Sequence, residues 1–407
     1  MLLIKNTTIV TQNAQRQIIK NGAILVVGEK IADMGQSAKL EKKYAKVKKK
    51  VIDGRGRVLL PGLINAHTHA AMALLRGFAD DLPLKKWLTE KIWPAEAKFQ
   101  LRDIYRGTKL ACQEMLRSGT TCFNNMYWQP AEEIRAVKKA GLRDWVGLTA
   151  LDRGGMDVGP AQIEDAYNRL KTKISNKIKL VIMPHTIYTV SEKTLRWCKK
   201  FADAKNLLLH IHLSETEEEV RNCLKQHNCR PAEYLAKIGF LGDNVVAAHC
   251  CWLNDKEIKI LARRGVSVAH CPTSNLKLVS GIMPLSKLLK ASVNVCLGTD
   301  SAASNNSLDM FSEMKIAALI HKWHERNPVA ANAQTILDLA TINGAKALKI
   351  DGQVGSIDIG KQADIVVINF DKPHLKPCFS AVSHIVYAAN GADVETVIVG
   401  GKVLFKK

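Results

Sequence analysis

Apolar and polar positions follow two rhythms along this chain. Leu2–Val10, Ala23–Val27 and Lys30–Met34 are short apolar runs of strand character, the last two separated by Gly28-Glu29. The same rhythm returns near the other end in Ala363–Phe370, Glu395–Val399 and Val403–Phe405, with Gly400-Gly401 before the last. Strand-length runs bounded by turn residues predict a small β-sandwich domain assembled from both termini. Between the ends, apolar runs alternate with longer segments of helical period, which predicts βα units around a parallel sheet. The candidate strands are Leu59–His67, Thr120–Asn124, Val146–Leu151, Lys179–Met183, Leu207–His212, Val245–Ala248, Val266–Ala269 and Val293–Leu297. Eight strands with intervening helices predict an α/β chain whose centre is a (β/α)8 TIM-type barrel; the pattern alone leaves an open sheet as the alternative. The expected division is 1–57 with 356–407 for the small domain and 58–355 for the barrel.

In such a barrel, reactive side chains gather at the C-terminal ends of the strands. The first candidate strand closes in Asn65-Ala66-His67-Thr68-His69, and imidazoles at i and i+2 of an extended chain point the same way. The fifth closes in His210-Ile211-His212-Leu213-Ser214-Glu215, the sixth in Ala248-His249-Cys250, and the eighth in Gly298-Thr299-Asp300. Each has a plainer reading alone: a strand histidine as a satisfied core residue, an Asp after Gly-Thr as a helix cap. Together they resist that reading, because buried ionisable groups are costly unless paired or metal-bound. Nitrogen and carboxylate donors without a suitably placed cysteine suit one Zn²⁺ per subunit, with Fe²⁺ or Mn²⁺ next in order. Three His and one Asp leave a position for water, the mark of a catalytic site.

Composition narrows the picture. Of 407 residues, 47% are apolar and 24% charged, an ordinary globular balance. No apolar run reaches the roughly 18 residues of a membrane span, and Met1–Asn6 reads as a strand rather than a secretory leader, so a cytoplasmic location is expected. The ten cysteines lie mostly in apolar runs and read as buried reduced thiols; Cys250 and Cys251, as strand neighbours, would face opposite ways. The formal charge is +21, but basic residues are spread along the chain, and the one dense run, Lys42–Lys50, carries a single aromatic residue. A solvated basic face is expected there, not a nucleic-acid partner.

The stretch Pro61–His69, followed by Arg76-Gly77-Phe78-Ala79-Asp80-Asp81-Leu82-Pro83-Leu84 and Trp87, resembles the amidohydrolase superfamily. More narrowly it is similar to the 5-methylthioadenosine/S-adenosylhomocysteine deaminase branch, as are Ile92–Glu96, Ser274–Leu278 and Gly298-Thr299-Asp300. Gly360–Val366 resembles the superfamily's return to its small β domain. The resemblance implies His67, His69, His212 and Asp300 as metal ligands, with His210 one layer deeper as a core residue. It implies one metal, since the fourth strand ends in Met183-Pro184-His185-Thr186 with Lys177 and Lys179 near its start, where two-metal relatives place a carboxylated lysine. Glu215 would protonate the ring nitrogen, His249 would orient the attacking water, and Asp300 would take its proton. Glu96 would bind the ribose hydroxyls, His185 would contact the nucleoside, and Trp87 would pack on a sulfur substituent.

The implied activity is hydrolytic deamination of adenine nucleosides: 5′-methylthioadenosine, S-adenosylhomocysteine, adenosine or 5′-deoxyadenosine. The branch often carries arginines on the third strand and loop that favour the homocysteine carboxylate. Here neither Arg143 nor Arg153 falls at a clear family position, although Arg153 is within reach, and S-adenosylhomocysteine is the substrate this weakens. Guanine, triazines and other amino-heterocycles are the alternative substrates, and a non-catalytic scaffold is the alternative class. By analogy a homo-oligomer is expected.

Overall fold

The computed structural model describes residues 1–152 and 157–407, so Arg153 lies outside the described residues. The chain opens with β1 (Leu2–Val10), β2 (Ile18–Val27), β3 (Lys30–Gln36), β4 (Lys50–Asp53) and β5 (Arg57–Pro61). Eight strands separated by helices follow: β6 (Leu63–Thr68), β7 (Thr120–Asn125), β8 (Arg143–Ala150), β9 (Ile178–Pro184), β10 (Leu208–Leu213), β11 (Val245–His249), β12 (Ser267–His270) and β13 (Val295–Leu297). Last come β14 (Ile365–Asn369), β15 (Val394–Val399) and β16 (Lys402–Lys406).

β6 to β13 form one sheet in sequence order, and the pairs from β8 to β13 are parallel. Its strands are buried on both sides, which is why they read as continuous apolar runs rather than as alternation. The sheet curls into a nearly closed barrel, with the end of β13 brought against β6. The Asp300 amide donates to the His67 carbonyl at 3.0 Å. Gly298 makes this approach feasible, because a Cβ there would stand 2.8 Å from the His67 nitrogen and oxygen.

The remaining strands form a mixed sheet in the order β16-β15-β14-β5-β1-β2-β3, with β4 paired to β1. Its core holds Ile4, Ile9, Ile24, Leu59, Ile365, Val367 and Ile398. One expected strand is therefore split. The apolar run from Leu59 breaks at Gly62: Arg57–Pro61 pairs with β1 and β14, and the barrel strand starts at Leu63. Both pieces are buried, so hydrophobicity does not mark the change of sheet. The signal is Gly62, where a Cβ would lie 2.0 Å from Thr121 Oγ1.

The described residues divide into two compact units. One comprises Met1–Asn65, Gln113–Cys122 and Asp309–Lys407; the other comprises Ala66–Cys112 and Phe123–Leu308. All ten cysteines are free thiols, eight of them buried. Cys250 and Cys251 follow β11 in a turn rather than lying on it, yet both are buried. Lys42, Lys43, Lys46, Lys48 and Lys50 are exposed. Among the described residues no helix is long and apolar enough to cross a membrane.

Candidate active site

Four strand ends deliver the polar residues. β6 carries His67 and is followed by His69, β10 carries His212, β11 ends in His249, and Asp300 follows β13. One donor atom each from His67, His69 and His212 lies within 4.8 Å of the others, and the same holds for His67, His249 and Asp300. Asp300 Oδ1 sits 3.5 Å from His67 Nε2 and 3.3 Å from His69 Nε2. His67 Nε2 is fully buried with no hydrogen-bond partner, the position in which a ligand nitrogen waits for a cation. Burial also holds His67 down at a pKa of about 4, in the neutral form that a metal ligand requires.

Every imidazole of the group is tethered through Nδ1. His69 donates to the Met126 carbonyl at 2.7 Å, His212 to the His185 carbonyl at 2.8 Å, and His249 to Asn275 Oδ1 at 2.8 Å. His67 Nδ1 shares a 2.7 Å hydrogen bond with His210 Nε2, which gives that deeper histidine its partner. Tethering at Nδ1 fixes ring orientation and leaves Nε2 to face the centre. Asp300 is held likewise: Ser274 and Ser304 hydroxyls donate to Oδ2 at 2.5 and 2.9 Å, so Oδ1 is the oxygen that faces the histidines. The donor set, three imidazoles and a carboxylate with every outer partner in place, fits a divalent cation.

Glu215 stands beside this group. It is buried, with Oε2 3.8 Å from His249 Nε2 and Oε1 accepting from Ser280 Oγ at 3.1 Å. Burial raises its pKa, against the opposing pull of His249, so the protonated acid is favoured relative to an exposed glutamate. The backbone at these strand ends is unusual. Ser214, His249, Cys250 and Asp300 all have positive φ, between 49° and 71°, in the left-handed region that non-glycine residues rarely occupy.

Glu96, His185 and Trp87 line the same cavity as His69, His212, Glu215, His249 and Asp300. Glu96 ends the short helix Trp93–Glu96 and accepts a 2.6 Å hydrogen bond from Tyr127 Oη. Burial pushes its pKa up to about 7 despite that bond. His185 follows β9, hydrogen-bonds to Thr189 Oγ1 through Nδ1 at 2.9 Å, and is pushed down to about 3 by burial and the neighbouring histidines. Trp87 opens a π-helical turn, Trp87–Ile92, and with Met72, Leu84, Leu88, Ile92 and Trp93 forms one part of the apolar lining, Met126, Tyr127, Trp128, Leu151, Tyr188 and Leu278 forming the rest. All nine candidate residues thus come together, with His67 buried beneath the cavity. Sequence reasoning did not find Tyr127, Asn275, Ser280, Ser304 or the tethering carbonyls. Ser274-Asn275 lay in a matching motif without a role; the others carry no local signal.

A sequence model of the amidohydrolase family matches residues 58–404. The 5-methylthioadenosine/S-adenosylhomocysteine deaminase of Thermococcus sibiricus is 46% identical over 397 residues, covering 95% of this chain and 93% of the relative. The 5′-deoxyadenosine deaminase of Methanothermobacter thermautotrophicus is 46% identical over 391 residues, covering 95% and 90%. Among solved structures, an adenosine deaminase from Xanthomonas campestris with bound zinc superposes with a TM-score of 0.95 at 36% identity, covering 99% of this chain and 92% of that one.

Proposed function

The chain belongs to the amidohydrolase family, and from that premise we propose that it is a zinc-dependent hydrolytic deaminase of adenine nucleosides. The reaction adds water to the ring carbon that bears the amino group and releases ammonia, leaving the inosyl product. The observation that carries this reading is the joint position of the tethered His–Asp centre and the buried Glu215 on one cavity. His67, His69, His212 and Asp300 would hold the ion. A bound Zn²⁺ supplies the Lewis acidity that makes water a nucleophile near neutral pH.

The protein's own groups do the rest. Glu215 delivers a proton to the ring nitrogen next to the carbon under attack, turning an unreactive aromatic ring into an electrophile. His249, fixed by Asn275, orients the water through Nε2. Asp300 receives the water's proton at the oxygen not occupied by Ser274 and Ser304 and passes it to the amino group. As the C–N bond breaks and ammonia leaves, the remaining hydroxyl proton goes to Glu215, which forms the carbonyl and restores the acid. Glu96 accepts the ribose hydroxyls, since a carboxylate can take both at once. His185 contacts the nucleoside. The apolar lining around Trp87 suits a neutral 5′ substituent, which favours 5′-methylthioadenosine and 5′-deoxyadenosine over a charged homocysteine tail.

The test is ammonia release from zinc-loaded protein given 5′-methylthioadenosine, 5′-deoxyadenosine, adenosine, S-adenosylhomocysteine, guanine and a triazine. Adenosyl turnover is expected, falling about 10²–10⁴-fold in Glu215→Gln with zinc retained. Turnover of guanine or the triazine alone would reassign the substrate, and turnover of none would remove the deaminase reading.

A further inference from the structure

The turn that carries Glu215 is built around a second glutamate with no part in the reaction as described. β10 ends at Leu213, Ser214 takes a φ of 49°, and Thr216 caps the helix Glu217–His227 by accepting the Glu219 amide at 3.2 Å. In an ordinary capping box the acidic side chain three residues into the helix reaches back to the amide of the capping residue itself. Here it reaches further. Glu219 Oε1 accepts from the Ser214 amide and Oε2 from the Glu215 amide, both at 2.9 Å.

These two bonds close the turn from beneath. Glu219 is 4% exposed, whereas the preceding Glu217 and Glu218 face solvent. Burial opposes ionisation of Glu219 while the two amide bonds favour it, so a carboxylate is placed here at a cost that its hydrogen bonds offset. The Ser214 carbonyl in turn accepts from the Trp252 amide at 3.0 Å. A non-glycine residue in the left-handed region persists only when its surroundings impose it, and here the Ser214 and Glu215 amides are both held by one buried side chain. Ser280 meanwhile restrains the Glu215 side chain. Backbone and side chain of the acid are thus fixed separately.

We propose that Glu219 is a positioning residue for Glu215: its carboxylate clamps the Ser214–Glu215 turn and so aims the proton donor at the substrate ring. The proposal rests on the deaminase reading. It assigns Glu219 an effect on proton delivery and none on metal or nucleoside binding.

Two substitutions test it in the full-length, zinc-loaded protein with the best adenosyl substrate. Glu219→Gln keeps the length of the side chain but sets an NH2 group against one of the amides. Glu219→Asp keeps the charge but falls one methylene short of spanning both. In each, kcat is expected to fall about 10- to 100-fold, the cost of misplacing a reacting group by about an ångström. KM and zinc stoichiometry should not change. In a Glu215→Gln background the same substitutions should cost nothing further, because the group being aimed is gone. An equal fold-loss in both backgrounds, a loss of zinc, or an unchanged kcat would overturn the assignment. Should one variant fail to fold, the other completes the cycle. Wild-type protein that releases no ammonia from any adenosyl compound sinks the deaminase reading itself, whereas active wild type with unaffected variants sinks only the role of Glu219.

Discussion

The polar end of the cavity and its apolar lining are made of different material. The polar end comes from the termini of β6, β10, β11 and β13, where regular strands place each side chain and a second group holds each one still. About half of the apolar lining comes from residues 72–96, a succession of short pieces: a 3-10 turn Ala70–Leu75, one turn at Leu84–Lys86, the π-helical turn Trp87–Ile92 and the helix Trp93–Glu96. Strand ends give precision, which a metal centre and a proton donor need. Short irregular pieces give adaptable shape, which substrate choice needs. The contrast teaches that damage at the polar end should abolish chemistry, while damage in the lining should re-rank substrates.

The largest effect is expected from removing the metal. Dialysis against a chelator should take ammonia release below detection, and zinc should restore it. Apparent stability should fall too, by about 2.7 kcal/mol if the ion had been present at a hundredfold excess over its Kd. Calorimetry with and without chelator reads this directly, and a chelated protein of full activity would break the comparison at its polar end.

Next comes Glu96, where the two regions meet. Glu96→Gln should lower kcat/KM for nucleosides about 10- to 100-fold, mostly through KM, as expected for a lost hydrogen bond to a charged group. The pH profile sharpens this. With its pKa raised to about 7, Glu96 in the free protein is a carboxylate above that pH and a neutral acid below it. Only the carboxylate accepts both ribose hydroxyls, so kcat/KM should decline as pH falls through about 7 in the wild type, and that limb should vanish in Glu96→Gln. An unchanged acid limb would remove Glu96 from ribose binding.

The smallest effect is expected at Trp87. Trp87→Ala should cut kcat/KM for 5′-methylthioadenosine about tenfold, the scale of a lost apolar contact, with a smaller loss for 5′-deoxyadenosine. Equal losses on both would show that Trp87 serves packing rather than the 5′ substituent.

The same contrast explains what was legible beforehand. Strand ends announce themselves: His67, His69, His212, His249 and Asp300 each terminate an apolar run, and a polar group there must answer for its burial. The barrel strands were readable for the same reason, except where Gly62 passes the chain between sheets within one apolar run. The lining was not legible from pattern, since Trp87, Ile92 and Trp93 look like any core aromatic or aliphatic residue; only the resemblance singled out Trp87 and Glu96. Tyr127 and Ser280 act across sequence separations of 31 and 65 residues, which no local period encodes. Glu219 was hidden by its neighbours, because three consecutive glutamates at the start of a helix read as a solvated, dipole-matched first turn. The carbonyls of Met126 and His185 carry no residue signature at all.

Those two carbonyls have a consequence for how such a protein can change. Met126 and His185 hold His69 and His212 with their main chains while their side chains line the cavity. A mutation at either codon replaces what the substrate meets and preserves what the ligand leans on, because every amino acid brings the same carbonyl. On the proposed roles, substrate range and metal retention are therefore separable at Met126, whereas the His185 ring also packs edge-on against the His212 ring at 4.8 Å and ties the two together there. A side chain exchanged at Met126 can then reshape the cavity while the tether of His69 stays in place.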